Sequence, residues 1–298
     1  MGNKVLAVIN PISGTKNKKQ IPQYIASVYN DTNEDVYITY TKRAGHAYQI
    51  ALDAVKNGIG KVIAVGGDGT VNEVAKALTN TDASLGIIPL GSGNGLARSL
   101  SIPMDPIKAI RNLTEGESVR IDTCRINSIP FFCTTGFGFD AEVSNRFAEA
   151  TTRGPLTYGI SMIREYLSYI PQKCRITIDD KETFETEAFV VAIANASQYG
   201  NDAYIAPKAK LTDGLMDLVI LKPFSSFDMP KVIIQLFNRK IDKNIHQYST
   251  TAKKIFIERT SAGFIHVDGE PMTINEKNLE ISIIPKSLSV IIPKHSDI

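Results

Sequence analysis

The chain has 298 residues, of which 43% are hydrophobic, and carries a formal net charge of +2 at pH 7. This length predicts two domains, since single domains usually contain about 100 to 200 residues. The nearly balanced charge argues against a nucleic-acid-binding protein, which would concentrate lysine and arginine on one face.

Neither secretion nor a membrane span is predicted. The N-terminal apolar run VLAVI (5–9) is too short for a signal peptide, and AFVVAIANA (188–196) falls far below the ~20 residues of a spanning helix. The three cysteines form no CxxC pair, which argues against a disulfide framework and a zinc site. We therefore expect a cytoplasmic protein whose contact with lipid is peripheral.

The first 120 residues alternate β-branched runs with helical patterns. KVLAVIN (4–10) and KVIAVGG (61–67) are typical strands, and AYQIALDAVKNG (47–58) is a typical helix. This alternation predicts βα units around a mostly parallel sheet that is covered by helices. Loops at the carboxyl ends of such strands are where ligands bind.

After Asp122 the pattern changes to strands separated by turns. TFETEAFVVAIAN (183–195) and SLSVIIP (287–293) are examples, and together these runs predict an antiparallel sandwich. Helical patterns interrupt the strands at 153–170 and 229–240. The first fits either an acyl pocket or core packing, and the second fits either interfacial docking or a helix lying on the sandwich.

Three polar loops follow predicted strands: NPISG (10–14), GGDGT (66–70) and PLGSGNG (89–95). A glycine loop that opens a helix presents backbone N–H groups to an anion, because no side chain obstructs the approach. Asp68 would repel a phosphate unless a divalent cation lies between them, so we expect Mg²⁺. The alternative is a tight strand–helix turn in which Asp68 caps the helix that follows the strand.

These loops lack the signatures of the commonest nucleotide-binding proteins. The chain contains no GxxxxGK[ST] motif, GSGNG (91–95) lacks the third glycine of a dinucleotide fingerprint, and no HRD or DFG motif occurs. P-loop enzymes, protein kinases and ordinary dehydrogenases are therefore excluded.

The combination of GGDGTVNE (66–73), NPISG and PLGSGNGLA (89–97) resembles the diacylglycerol kinase catalytic-domain superfamily of ATP-dependent lipid kinases. This superfamily includes bacterial soluble diacylglycerol kinases and the sphingosine and ceramide kinases. The resemblance implies an N-terminal three-layer α/β nucleotide-binding domain and a C-terminal antiparallel β-sandwich for the lipid, the NAD kinase/diacylglycerol kinase-like fold. The expected bounds are 1–122, with 287–298 returning to it, and 123–286.

The resemblance also implies roles for individual residues. The implied ATP contacts are Asn10, Pro11, Ile12, Ser13, Gly14, Thr41, Gly67, Asp68, Gly69, Thr70, Val71, Asn72, Glu73 and Ser92. Asp68 and Asp122 would organise Mg²⁺ and its waters as catalytic residues, although Asp122 could also be a solvated strand end. A structural Mg²⁺ would bind the Asp213 carboxylate and the carbonyl groups of Lys210 and Leu215.

The second half offers candidates for the acceptor side of the reaction. IHVDGEPM (265–272) places Asp268 and Glu270 across a glycine, an arrangement that also fits a plain hairpin turn. The resemblance implies that Glu270 is the general base, and we expect Asp268 to order the turn. Asp140, in GFGFDAEV (136–143), is a candidate for binding the lipid head group.

We therefore expect an ATP-dependent lipid kinase that converts diacylglycerol to phosphatidic acid. A sphingoid base or another lipid is the alternative acceptor. NAD kinase and a non-catalytic ATP or lipid sensor are more distant alternatives. A homodimer could form along an exposed sheet edge, an option that one sequence leaves open.

Overall fold

The structure, a computed structural model, describes residues 2–12, 19–149, 169–296 and 298. The chain divides into two compact units. The first comprises Met1–Thr123, Leu211–Asp213 and Ile284–Ile298, and the second comprises Cys124–Lys210 and Gly214–Ile283. The helix predicted at 153–170 lies outside the described residues, apart from Tyr169 and Ile170.

The secondary structure alternates strands and helices at first and then consists mainly of strands. The strands are β1 (Gly2–Ile9), β2 (Asp35–Tyr40), β3 (Ile59–Gly66), β4 (Ser84–Pro89), β5 (Glu117–Ile126), β6 (Ile129–Phe131), β7 (Thr134–Gly138), β8 (Gln172–Ile178), β9 (Glu182–Ala188), β10 (Val190–Ala194), β11 (Met216–Leu221), β12 (Gln247–Ala252), β13 (Lys254–Arg259), β14 (Gly263–Val267), β15 (Glu270–Ile274) and β16 (Asn278–Ile292). The described α-helices are α1 (Ile21–Tyr29), α2 (His46–Lys56), α3 (Asp68–Leu78), α4 (Gly95–Ser99), α5 (Pro106–Glu115), α6 (Phe139–Glu149) and α7 (Met229–Phe237). A 3₁₀ turn covers Ile241–Lys243.

The first unit contains a parallel sheet in the order β2-β1-β3-β4-β16, to which β16 contributes its last residues. Helices α1 and α5 pack on one face through a shared apolar cluster. Helices α2 and α3 contact β1, β3 and β4 but contribute no residue to that cluster, as helices on the other face of the sheet do. The predicted three-layer α/β architecture is therefore confirmed.

The spacing of apolar residues explains why these helices form and how they lie. In α3, Val71, Val74, Ala75 and Leu78 are buried at the i, i+3, i+4 and i+7 positions that share one helix face. Helix α5 begins with a cap, since the Asp105 carboxylate accepts the Lys108 N–H at 3.0 Å. The apolar stripes hold the helices against the sheet.

The second unit is an antiparallel sandwich, as predicted. One sheet joins β16, β13, β8 and β9, and the other has the order β12-β11-β10-β7-β14-β15. A core cluster between the sheets includes Val191 and Ile193 from β10 and Ile255 and Ile257 from β13. Alternate residues of β10 face the opposite side, which is why the whole strand is buried.

Helices α6 and α7 lie on that opposite side of the second sheet. Phe139 of α6 and Val232 of α7 join the same apolar cluster as Val190 and Ala192, and Leu236 packs against it. This agrees with the interpretation that the segment at 229–240 is a helix lying on the sandwich. No helix within the described ranges is both long and apolar enough to cross a bilayer.

The close contact of β7 with β10 requires a glycine at position 136, which yields a test of the fold. A Cβ on Gly136 would lie 2.2 Å from the Val191 carbonyl oxygen, so the two strands would have to separate. We expect Gly136→Ala to lower the free energy of unfolding by at least ~1 to 3 kcal/mol, the usual cost of overpacking. Urea denaturation followed by circular dichroism measures this change.

Gly263→Ala is the matched control, because Gly263 also lies in a strand of this sheet and a Cβ there meets nothing within 4 Å. Equal stabilities of the two variants would contradict the steric account of the β7–β10 contact.

Candidate active site

The carboxyl ends of β1, β3 and β4 lie side by side in the first unit. The backbone N–H of Asn10 donates to the Val65 carbonyl at 3.1 Å, and that of Leu90 donates to the Gly66 carbonyl at 2.8 Å. Thr41, at the end of β2, donates its N–H to the Ile9 carbonyl at 2.9 Å. The structure thus brings the start of each predicted loop to one edge of the sheet.

The two glycine loops touch each other through bare backbone. A Cβ on Gly91 would lie 2.8 Å from the Gly67 Cα, and a Cβ on Gly67 would lie 3.3 Å from the Gly91 Cα. Side chains at either position would push the loops apart. The need for glycine here therefore comes from loop packing as well as from any anion that approaches the amides.

The Asp68 carboxylate joins the same two loops. Its Oδ2 accepts the Asn94 N–H at 2.8 Å and its Oδ1 accepts the Gly95 N–H at 2.7 Å. Asp68 is the first residue of α3, yet these amides belong to the start of α4. The alternative, in which Asp68 caps the helix of its own turn, differs from this arrangement: α3 has no side-chain cap, and the Asp68 carboxylate binds amides at the start of α4 instead.

The first loop is linked to α3 by side chains. The Asn10 amide Nδ2 donates to the Thr70 hydroxyl at 3.2 Å, and the Asn10 Oδ1 accepts the Ile12 N–H at 3.1 Å. Pro11 and Ile12 are exposed, while Thr41 is buried. Two further predicted ATP contacts, Ser13 and Gly14, lie outside the described residues.

The remaining predicted ATP contacts lie in α3 and in the loop after β4. Glu73 has a clear structural role, since its carboxylate accepts the N–H groups of Gly45 at 2.7 Å and Ala47 at 2.9 Å at the start of α2. Ser92 is exposed. The other members of this set are Gly69, Val71 and Asn72, in the first two turns of α3.

Asp122 is completely buried, which excludes a solvated strand end. Its Oδ1 accepts the Lys286 N–H at 2.7 Å, and its own N–H donates to the Leu211 carbonyl at 2.7 Å. Lys286 has a left-handed φ of 50°, and the Asp122 carboxylate satisfies the amide at this irregular position of β16. Asp122 therefore ties β5 to the last strand of the chain.

The predicted structural magnesium site falls in the loop before β11. Lys210, Asp213 and Leu215 belong to this loop, and Gly214 has a left-handed φ of 73°. Within the described parts of the chain, no three His, Cys, Asp or Glu side chains gather into a metal-binding group. A ligand set with one carboxylate and two carbonyls would not form such a group, so this site stays a prediction.

In the second unit, Asp140 belongs to a compact polar cluster with Tyr199 and His266. The Tyr199 hydroxyl donates to the Asp140 Oδ2 at 2.8 Å, and the His266 Nε2 lies 3.1 Å from the same oxygen. The Tyr199 and His266 rings meet edge to face with centroids 5.5 Å apart. Burial and the negative charge of Asp140 raise the pKa of Tyr199 well above its ordinary value of 10.0, so the phenol stays protonated.

His266 is 1% exposed, and its Nδ1 has no hydrogen-bond partner among the described residues. Because a carboxylate oxygen only accepts, a hydrogen bond between these two groups needs a proton on Nε2. Sequence analysis missed both Tyr199 and His266, because neither belongs to a motif shared with Asp140. The one usable signal was the histidine placed two residues before Asp268 in IHVDGE.

The turn that carries Asp268 is a two-residue hairpin between β14 and β15. Asp268 and Gly269 both have left-handed φ values, 50° and 84°, as a type I′ turn requires. The Asp268 carboxylate accepts N–H groups from Phe132 at 3.0 Å, Cys133 at 2.7 Å and Thr134 at 3.0 Å. The structure thus supports the expectation that Asp268 orders the turn. Glu270, exposed at the start of β15, pairs with Val267.

Asp268 gives the second unit a defined pH dependence. Burial raises the pKa of Asp268 from 3.8 to about 6, although the amides of Cys133, Phe132 and Thr134 oppose the shift. Because the folded protein then binds the proton more tightly than the unfolded chain, stability falls as the pH rises from about 4 to about 6. Relative to Asp268→Asn, the wild type should lose ~2 to 3 kcal/mol of unfolding free energy across this window.

Urea denaturation of both proteins at pH 4, 5, 6 and 7 measures this difference. A relative stability that rises with pH would contradict the sign, and would mean that the three amides outweigh burial.

Comparisons with known proteins agree with this geometry. Residues 4–126 match the diacylglycerol kinase catalytic domain, and residues 133–292 match the YegS C-terminal NAD kinase beta sandwich-like domain. A probable lipid kinase YegS-like protein of Chromohalobacter salexigens is 30% identical over 286 residues, which cover 93% of this chain and 91% of the relative.

Solved structures give the same result. The crystal structure of a putative diacylglycerol kinase from Bacillus anthracis has a TM-score of 0.80 and 26% identity, covering 98% of this chain and 96% of that chain. Yeast NADH kinase in complex with NADH has a TM-score of 0.54 and 14% identity, covers 99% of this chain and 84% of that chain, and shows a similar fold alone. The chain therefore belongs to the YegS-like lipid kinase family, which joins a diacylglycerol kinase catalytic domain to a YegS-type β-sandwich.

Proposed function

We propose that this protein transfers the γ-phosphoryl group of ATP to the hydroxyl group of diacylglycerol, producing phosphatidic acid and ADP. The observation that carries the proposal is the Asp68 carboxylate, which joins two glycine loops at the carboxyl ends of the parallel strands. The likeness to a putative diacylglycerol kinase from Bacillus anthracis supports the choice of acceptor.

The loops provide the nucleotide side of the reaction. Backbone N–H groups at Gly67, Gly69 and their neighbours at the start of α3 can face a triphosphate without obstruction by side chains, whereas the Gly91 N–H already donates to the Asn94 Oδ1 at 2.9 Å. Charge-assisted hydrogen bonds contribute roughly 1.5 to 3 kcal/mol each, so three of them approach the ~8 kcal/mol of micromolar binding. The nucleotide can therefore be held without a P-loop lysine.

The Asp68 carboxylate is a suitable ligand for a magnesium ion that binds together with the nucleotide. Mg²⁺ typically binds one or two carboxylates, several waters and substrate phosphates, so it needs no preformed protein cage. Each Asp68 oxygen already accepts one N–H, which fixes its direction and leaves further lone pairs. Bound there, Mg²⁺ would neutralise charge on the phosphates. We propose that Asp68, with Asp122 through its waters, holds this ion.

The acceptor side lies in the second unit. We propose that the Glu270 carboxylate takes the proton of the lipid hydroxyl. At the same time the hydroxyl oxygen forms a bond to the γ-phosphorus, and the bond between that phosphorus and the ADP oxygen breaks. Asp140, with Oδ2 held by Tyr199 and His266, would bind the polar head group of the acceptor. An acidic group here also fits the ammonium of a sphingoid base, which keeps that acceptor as the alternative.

Substrate identity is tested by incubating the protein with radiolabelled ATP, Mg²⁺ and a panel of lipids. We expect labelled phosphatidic acid from diacylglycerol vesicles at a higher rate than product from any other lipid. A higher rate with sphingosine would identify a sphingoid base as the acceptor in place of diacylglycerol. Labelling of NAD alone would overturn the proposal of lipid phosphorylation. ATP binding without any labelled product would identify a sensor.

Substitution of the proposed catalytic carboxylates tests the mechanism. Asp68→Asn and Glu270→Gln should each lower kcat at least ~100-fold, the smaller end of the usual contribution of acid–base and electrostatic catalysis. The kinase assay with diacylglycerol measures this, and circular dichroism reports whether each variant folds.

Two matched controls should keep wild-type turnover. Asp105→Asn changes another aspartate that caps a helix, and Glu182→Gln changes another exposed glutamate at the start of an edge strand. Wild-type kcat in Asp68→Asn or Glu270→Gln would refute the role assigned to that residue.

A further inference from the structure

Helix α7 carries apolar residues on two of its faces, one packed and one exposed. Val232 and Leu236 pack against the sandwich, whereas Ile233, Ile234 and Phe237 are exposed. Residues three and four positions apart share a helix face, so the exposed three form a continuous stripe directed away from the sandwich. The outer face of a surface helix in a globular protein is usually polar. Packing in the protein core therefore does not explain this stripe.

Two further exposed apolar residues lie in loops near one end of α7. Phe227 is 93% exposed and Ile245 is 81% exposed. Their neighbours Asp228 and His246 come together, with 3.6 Å between the Asp228 Oδ2 and the His246 Nε2, so both loops lie at the same end of the helix. We call Phe227, Ile233, Ile234, Phe237 and Ile245 the α7 apolar surface.

This concentration stands out from the rest of the described residues. Twelve large hydrophobic side chains are exposed among them, and the α7 apolar surface contains five of these within one 19-residue segment. Exposed apolar side chains scattered singly need no explanation, but a contiguous group with polar edges marks an interaction site.

The edge of this surface is positively charged. Lys231, Lys240 and Lys243 are exposed and form no ion pair with an acidic residue in the described ranges. The acids of the segment are already engaged: Asp242 pairs with Lys208 at 2.9 Å, and Asp228 accepts the Ser225 hydroxyl at 2.9 Å. An apolar stripe bordered by lysines matches the interface of an anionic bilayer, where apolar groups enter the acyl region and ammonium groups meet phosphates.

We propose that the α7 apolar surface docks onto the anionic surface of a phospholipid bilayer. This inference rests on the lipid kinase function, because a diacylglycerol acceptor resides in a bilayer. Exposed lysines argue against a second copy of the chain as the occupant, since lysine is depleted at protein interfaces. The surface belongs entirely to the second unit, which carries the proposed acceptor residues.

Co-sedimentation of the full chain with large unilamellar vesicles tests this proposal. We expect binding to vesicles of phosphatidylglycerol and phosphatidylcholine, and weaker binding to phosphatidylcholine alone. The double variant Ile234→Ser/Phe237→Ser should bind the anionic vesicles at least ~10-fold more weakly, because it removes two side chains that would leave water.

The matched control is Tyr37→Ser/Ile107→Ser, which removes one aromatic and one isoleucine of similar exposure, 50% and 40%, from the first unit. This variant should bind vesicles as the wild type does. The triple variant Lys231→Gln/Lys240→Gln/Lys243→Gln should lose the preference for anionic vesicles. Circular dichroism of each variant checks that it is folded.

Unchanged vesicle binding by Ile234→Ser/Phe237→Ser would overturn the proposal. So would a wild-type dimer that this variant converts to a monomer with vesicle binding retained, measured by analytical ultracentrifugation. Phosphorylation of a short-chain, water-soluble diacylglycerol distinguishes a failure of the docking proposal from a failure of the proposed function. The double variant should phosphorylate it at the wild-type rate, whereas a wild-type protein that binds vesicles yet phosphorylates no lipid would contradict the function alone.

Discussion

One carboxylate joins the two glycine loops at the proposed nucleotide site. Asp68 begins α3, yet its two oxygens accept amide hydrogens at the start of α4, and the glycines beside it touch through bare backbone. Each such bond contributes roughly 1.5 to 3 kcal/mol, which is enough to fix the loops before any ligand arrives. A loop pair that is already ordered avoids the entropic cost of ordering on binding. Preorganisation of this kind is what electrostatic catalysis requires.

The residues proposed for the acceptor side are also held in place by hydrogen bonds. Three backbone amides hold the Asp268 carboxylate, and this fixes the hairpin from which Glu270 extends. Asp140 is held by a phenol and an imidazole, both of which are polar groups in a largely buried environment. Buried polar groups are costly unless they are paired. The hydrogen bonds from Tyr199 and His266 keep the Asp140 carboxylate oriented. His266 lies in β14, which leads into the hairpin, and Glu270 after the turn remains exposed.

Local patterns predicted the architecture and the loops, because hydrophobic periodicity and glycine placement are properties of neighbouring residues. TFETEAFVVAIAN gives one continuous strand pattern, yet the structure divides it at Phe189 into β9 and β10, which join different sheets. Only tertiary packing decides such a division. The contacts of Asp68 with Gly95, and of Asp140 with His266, join residues that are distant in the chain, and no rule of residue spacing predicts them. Whether a glutamate such as Glu73 contacts a ligand or caps α2 likewise depends on partners that the motif does not contain.

We propose above all that the joined glycine loops bind the polyphosphate through their backbone. Amide hydrogen exchange, measured by mass spectrometry with and without ATP and Mg²⁺, tests this claim most directly. We expect slower exchange in peptides that cover residues 66–73 and 89–97 when the nucleotide is present. Unchanged exchange in both segments, with protection appearing elsewhere in the chain, would contradict it.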